Sequence, residues 1–183
     1  CSTMMNCIYD CSYCYLKGMY PSGNLVVFVN LEDYFAELDV LLQKQSMYVC
    51  VSYDADLLAL ESWMGYARAW ADYAGKHPNL TLEIRTKSAR QAMWDELPFL
   101  SNVVYAFTVS PQKLIAASEK NTPSARARIE CAAEGIRRGF PVRLCFDPML
   151  YLPGWEVLYT ELFTQIDEAF ESRNCNWKML DAV

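Results

Sequence analysis

The sequence has a single histidine, His77, and only seven glycines in 183 residues. A structural zinc site takes four closed ligands, usually from two separated pairs, and one distant His supplies no such pair. Gly18 and Gly23 with Pro21 read as a loop. No Gly-rich strand-to-helix spacing is present, which excludes a phosphate cradle of that type. Positive charge is also short: 16 Lys and Arg stand against 22 Asp and Glu, a formal net charge of −6, the opposite of a polyanion-binding footprint. Long apolar runs are missing. Stretches such as Leu25 to Val29 and Val40 to Leu42 fall far short of the roughly 20 residues a membrane-spanning helix requires, so no membrane association is expected. No basic segment followed by an apolar stretch opens the chain, and a cytoplasmic protein is expected. The start at Cys1 rather than Met points to a piece of a longer protein.

Hydrophobic residues make up 53% of the chain and charged ones 21%, the composition of a folded globular domain. No repeat, linker or charge block divides it, so one domain over residues 1–183 is expected. A core of this size buries roughly 70% of the unfolded chain's surface without help from a disulfide or metal. A metal here would need a functional reason.

Short apolar runs alternate with longer amphipathic ones. Candidate strands are Leu25 to Asn30, Met47 to Ser52, Leu80 to Thr86, Val103 to Val109 and Val142 to Phe146. Between them Leu31 to Lys44, Leu57 to Lys76, Ala89 to Leu97, Ser124 to Gly139 and Trp155 to Phe170 carry helical periodicity. That alternation predicts an α/β fold of β/α units around a parallel sheet. Asn30 and Ser124 are candidate N-caps, and Gly139 stands where a helix ends in a left-handed residue. Trp63, Tyr66, Trp70 and Tyr73 repeat at helical spacing and predict a packed helix face.

Eight cysteines are present, four of them in the first fourteen residues. An even count suits a disulfide framework only in a small secreted scaffold. Ligating thiolates in a reducing compartment fit this chain better. Cys7, Cys11 and Cys14 are separated by three and then two residues, close enough for one loop to wrap a single metal centre. Since a [4Fe–4S] cluster normally takes four thiolates, three on one loop suggest a cluster with one iron left open for chemistry. Zinc or a closed iron–sulfur site completed by Cys1, in a non-enzymatic scaffold, is the alternative. Cys131 and Cys145 read as buried structural thiols.

Cys-x-x-x-Cys-x-x-Cys is also the signature of radical S-adenosylmethionine (SAM) enzymes. Asn6-Cys7 through Cys11-Ser-Tyr-Cys14-Tyr15-Leu16, then Val27-Phe-Val-Asn30-Leu-Glu-Asp33, resembles the spore photoproduct lyase family of that superfamily. The resemblance continues in order through Glu83-Ile-Arg-Thr-Lys87, Asn121-Thr-Pro-Ser124 with Arg128 and Glu130, Gly139-Phe-Pro141 and Gly154-Trp155. It implies a partial TIM barrel of radical SAM type, incomplete at both ends, with Trp177 to Leu180 beginning its last strand.

The resemblance further implies a carbon–carbon lyase that uses a [4Fe–4S] cluster on Cys7, Cys11 and Cys14 to cleave SAM to a 5′-deoxyadenosyl radical. Its substrate would be the thymine photoproduct of UV-damaged DNA, and its electron donor a flavodoxin or ferredoxin. Tyr13 and Tyr15, flanking Cys14, match tyrosines of SAM contact and radical relay. Ser52, Lys87, Thr108 and Asp147 match SAM-binding positions, and Cys50 matches the cysteine that returns a hydrogen atom to the substrate radical. The segment Tyr53-Asp-Ala-Asp56-Leu-Leu-Ala-Leu-Glu61 is longer than the family's run. An ungapped alignment on Asp56 and Glu61 puts Tyr53 in the donor position instead. A family member acting on another substrate stays open, as an alternative to photoproduct repair.

Overall fold

A computed structural model describes residues 1–181. Its centre is a four-stranded parallel sheet of Met47–Cys50, Leu80–Thr86, Val103–Thr108 and Val142–Cys145, adjacent in that order. This is the α/β arrangement that the alternation of runs predicts.

Register and the two-residue period of a strand sort the side chains onto two faces. Leu82 lies beside Val103, Ile84 beside Tyr105, and Phe107 beside Leu144. These buried residues form the outer, apolar face. Helices Tyr66–Ala74, Ala125–Arg137 and Trp155–Glu171 continue the core around it. On the other face Cys50 lies beside Glu83, Arg85 beside Ala106, Ala106 beside Arg143, and Thr108 beside Cys145. That inner face is polar, and its side chains converge at the C-terminal ends of the strands.

Local chemistry explains where elements begin and end. Ser124 Oγ accepts from the Ala127 N–H at 3.2 Å and caps helix Ala125–Arg137, and Gly139 beyond it has φ +85°, which glycine adopts without a Cβ clash. Asn30 sits at the N-cap of helix Leu31–Leu42 but does not cap it. Its side-chain amide donates to the Asp33 carboxylate at 2.7 Å.

Further expectations are corrected. The run Leu57 to Lys76 divides at Gly65, φ +66°, into Glu61–Met64 and Tyr66–Ala74. The break follows from Glu61, whose carboxylate accepts the N–H groups of Ala67 at 2.7 Å and Arg68 at 2.9 Å and so caps the second helix. Trp63 consequently points to solvent, while Trp70 and Tyr73 pack with Phe35. The run Leu25 to Asn30 shrinks to Val26–Val27, paired antiparallel with Met4–Met5 outside the main sheet. Ala89 to Leu97 contracts to helix Met93–Glu96. Trp177–Met179 forms a 3₁₀ turn rather than a strand, although the Asp181 N–H donates to the Val142 carbonyl at 2.8 Å. Among the described residues no helix is long and apolar enough to cross a membrane.

Candidate functional site

The cysteine loop is fixed to the sheet's C-terminal end at several points. Asp10–Cys11 pairs antiparallel with Glu119–Lys120, and the Ser12 N–H donates to the Ser118 carbonyl at 2.7 Å. Helix Gln112–Ser118, which the sequence reading missed, delivers that second strand. At the loop's base Asn6 has φ +66°, and its side-chain amide donates to the Ser22 and Asn24 carbonyls at 2.8 and 2.7 Å. Ser2 bridges to Ser52 at the edge of the sheet. The Cys14 N–H donates to the Cys11 carbonyl at 3.1 Å, which folds Cys11 to Cys14 into a turn.

Eight of the ten residues singled out from the sequence line one cavity of about 350 Å³: Tyr13, Cys14, Tyr15, Cys50, Ser52, Lys87, Thr108 and Asp147. It opens at the C-terminal ends of the parallel strands, where barrel enzymes place their chemistry. Cys14 also lines a neighbouring cavity that contains Cys7. Cys11 lines neither described cavity and is buried beneath the turn.

Each lining residue is held by specific partners. The Tyr13 hydroxyl donates to the Glu119 carboxylate, and that of Tyr15 to Asp54 at 3.2 Å. Ser52 Oγ donates to the Arg85 carbonyl at 2.8 Å and accepts the Arg85 N–H at 2.6 Å, locking the first two strands together at the rim. Lys87 is placed by Asp56, a buried carboxylate that accepts the Lys87 N–H at 2.6 Å, the Thr86 hydroxyl at 2.7 Å and the Ala59 N–H at 3.0 Å. Burial raises the Asp56 carboxyl's affinity for its proton, and these three donors oppose that shift. The Lys87 ammonium lies 5.9 Å from the Tyr13 ring centroid.

Sequence reasoning missed Glu83, Arg85 and Pro148 as cavity residues. The signal was present in the strand itself: Glu83, Arg85 and Lys87 are charged residues two apart in an otherwise mostly apolar run, so all three share one face. Arg85 donates to Glu83 at 3.2 Å through Nε and to Asp147 at 3.2 Å through Nη1.

The three loop cysteines are free thiols. Burial first, then the nearby Asp56 and Cys11, push the Cys7 thiol up to about 12 despite a backbone hydrogen bond from Tyr9, and burial raises Cys11 as well. Ligation of a metal would require these thiols to lose their protons. Among the described residues no three His, Cys, Asp or Glu side chains gather about a single point as one metal ion demands. Cys1, the fourth ligand of the closed-site alternative, is exposed, and its amino group donates to the Cys50 carbonyl at 2.9 Å. Three free thiols on one loop are the donor type that an iron–sulfur cluster takes.

The profile of the spore photoproduct lyase family matches residues 2–180. The chain belongs to the spore photoproduct lyase family. It is 22% identical over 169 residues to the spore photoproduct lyase of Geobacillus sp. (strain Y412MC61), covering 90% of this chain and 50% of that protein. The Bacillus subtilis (strain 168) spore photoproduct lyase is likewise 22% identical over 167 residues, covering 89% and 49% respectively. The chain thus spans about half the length of the curated relatives it matches. Its fold superposes with a TM-score of 0.86 on a mutant spore photoproduct lyase with bound AdoMet and dinucleoside spore photoproduct, at 20% identity over 93% of this chain and 51% of that one. The TM-score is 0.85 against a spore photoproduct lyase complexed with the dinucleoside photoproduct, again at 20% identity, over 92% and 51%. The partial barrel expected from the family resemblance is therefore the fold this chain adopts.

Proposed function

We propose that this chain forms the SAM-binding half of a radical SAM enzyme that repairs the thymine photoproduct in UV-damaged DNA. The observation that carries the reading is the convergence of Tyr13, Cys14, Tyr15, Cys50, Ser52, Lys87, Thr108 and Asp147 on one cavity. They come from a loop and four separate strands or strand ends, and family membership supplies the reaction class. Cys7, Cys11 and Cys14 would hold a [4Fe–4S] cluster. When bound, that cluster would supply the electron that splits SAM into methionine and a 5′-deoxyadenosyl radical.

The chain's own residues divide the remaining work. Lys87, held in place by Asp56 through its backbone N–H, would pair with the SAM carboxylate. Ser52, Thr108 and Asp147, on the cavity wall, would bind SAM. Tyr13 and Tyr15, which line the cavity beside Cys14, would contact SAM and relay the radical. Cys50, on the inner face, would give a hydrogen atom back to the substrate radical.

The first test is anaerobic reconstitution with iron and sulfide, followed by SAM addition. The reading expects the cluster's spectrum to shift on SAM binding and to be lost in Cys7→Ala, Cys11→Ala and Cys14→Ala. A spectrum unmoved by SAM overturns it in favour of the closed scaffold.

One observation favours a second reading, a family member with a different final hydrogen donor and substrate. Tyr53 lines the same cavity and leans on Tyr15, ring centroids 6.0 Å apart. If Tyr53→Phe abolishes turnover and Cys50→Ala does not, this second reading replaces the first.

A further inference from the structure

The inner face of the sheet carries a buried carboxylate that the reaction as proposed does not use. Glu83 sits in the second strand with its side chain 3% exposed. Arg143 Nη1 reaches it at 2.8 Å and Arg85 Nη2 at 3.1 Å, and the Tyr48 hydroxyl donates to it as well. Two guanidiniums thus pair with the buried Glu83 carboxylate. The remaining donor is the thiol of Cys50, with Sγ 3.7 Å from Glu83 Oε1, a normal separation for a weak sulfur hydrogen bond.

We infer that Glu83 is a positioning residue that holds Cys50 as a neutral, oriented thiol on the cavity wall. The inference rests on the reading of Cys50 as a hydrogen-atom donor and explains how the chain would keep it one. A thiol beside a fixed carboxylate has two fates. Ionisation would place a thiolate against an existing negative charge in a partly desolvated site, which is unfavourable. Hydrogen-atom transfer adds no charge: the S–H bond breaks homolytically, a C–H bond forms on the substrate carbon radical, and a neutral thiyl radical remains on Cys50. The carbon radical is reduced by one hydrogen atom and the thiol is oxidised by the same amount. Glu83 therefore opposes the nucleophilic or metal-binding thiolate and leaves the radical donor unimpeded.

The other charges around Cys50 do not cancel this. Arg85 and the Cys1 amino group pull the thiol toward ionisation, while burial and Glu83 push the other way and prevail. Arg85 is itself shared between Glu83 and Asp147, and Arg143 between Glu83 and Asp181. The geometry separates Cys50 from Cys145, which lies on the same face beside Thr108 without a hydrogen bond to Glu83 among the described contacts.

The experiment is the pH profile of iodoacetamide alkylation at Cys50 in the anaerobically reconstituted protein, read on the peptide containing that residue by mass spectrometry. In the wild type the midpoint is expected above the value of about 8.5 for a free cysteine. Glu83→Gln is expected to lower it by at least one pH unit, a tenfold gain in thiolate at fixed pH, while Glu83→Asp keeps it high. A wild-type midpoint at or below that of free cysteine overturns the inference even if Glu83→Gln fails to fold. So does a folded Glu83→Gln variant whose midpoint is unchanged. Turnover in D₂O tests the underlying reading separately: repaired thymine should carry solvent deuterium in the wild type and lose it in Cys50→Ala. If that label is absent while the alkylation profile behaves as expected, Glu83 still holds the thiol and only the donor role of Cys50 falls.

Discussion

Arg128 reaches from helix Ala125–Arg137 to Glu119, Nη2 to Oε2 2.5 Å, with both side chains almost wholly buried. The same guanidinium donates to the Thr108 carbonyl at 3.1 Å and the Thr122 hydroxyl at 2.7 Å. The other Glu119 oxygen accepts the Tyr13 hydroxyl. One buried pair thus ties the outer helix, the end of the third strand and the cysteine loop together. Removing one partner strands a charge in the interior. Arg128→Ala is expected to lose roughly 3–5 kcal/mol of stability, measured by urea denaturation. A loss below about 1 kcal/mol would mean that the pair is not the tie it is described to be.

Lys87 tests the cavity with less structural risk, since only its backbone N–H serves Asp56. Lys87→Ala should weaken SAM binding about tenfold, the ~1.4 kcal/mol of a modest charge-assisted contact, while the thermal midpoint stays within a few degrees. Equilibrium binding of SAM to the reconstituted protein decides it, and unchanged affinity would remove Lys87 from the site.

The parallel sheet was legible because its strands are short, mostly apolar and separated by amphipathic runs. The break at Gly65 was not, because it depends on Glu61 reaching the N–H groups of Ala67 and Arg68, a contact the helical pattern of residues 57–76 does not encode. The cysteine turn could be read from spacing, and most cavity residues from family resemblance. Glu83 was passed over although its alternation with Arg85 and Lys87 marks a polar face; its pairing with Arg143, sixty residues later, is what the sequence does not encode. Helix Gln112–Ser118 escaped for a related reason: seven residues give too few turns for periodicity to show.

Gly135 faces the indole of Trp94, and a Cβ there would overlap the ring. Trp94 cannot retreat easily, since its Nε1 donates to the Cys131 carbonyl at 3.0 Å and its ring packs on Tyr105 and Phe140. Gly135→Ala is therefore expected to destabilise by about 1–3 kcal/mol, although alanine ordinarily favours a helix. A stabilised variant in thermal denaturation would contradict this packing.

Glu134 supplies a pH dependence. Arg137 first and Arg138 next hold its carboxyl down to about 2, below its ordinary 4.5, against the opposing effect of burial. Because the folded state binds the proton less tightly, this contribution is complete above about pH 4.5 and fades as pH falls toward about 2. Glu134→Gln should therefore be less stable than wild type at pH 7, with the gap closing at pH 2. Urea midpoints across that range check the sign, and a gap that widens toward acid would refute it.

The measurement closest to the central claim is product analysis of the full-length protein, reconstituted anaerobically, reduced in the presence of SAM and given DNA containing the thymine photoproduct. The account predicts 5′-deoxyadenosine and restored thymine, both lost in Cys14→Ala. Deoxyadenosine with untouched DNA would contradict the substrate, and no deoxyadenosine under reducing conditions would contradict the radical chemistry itself.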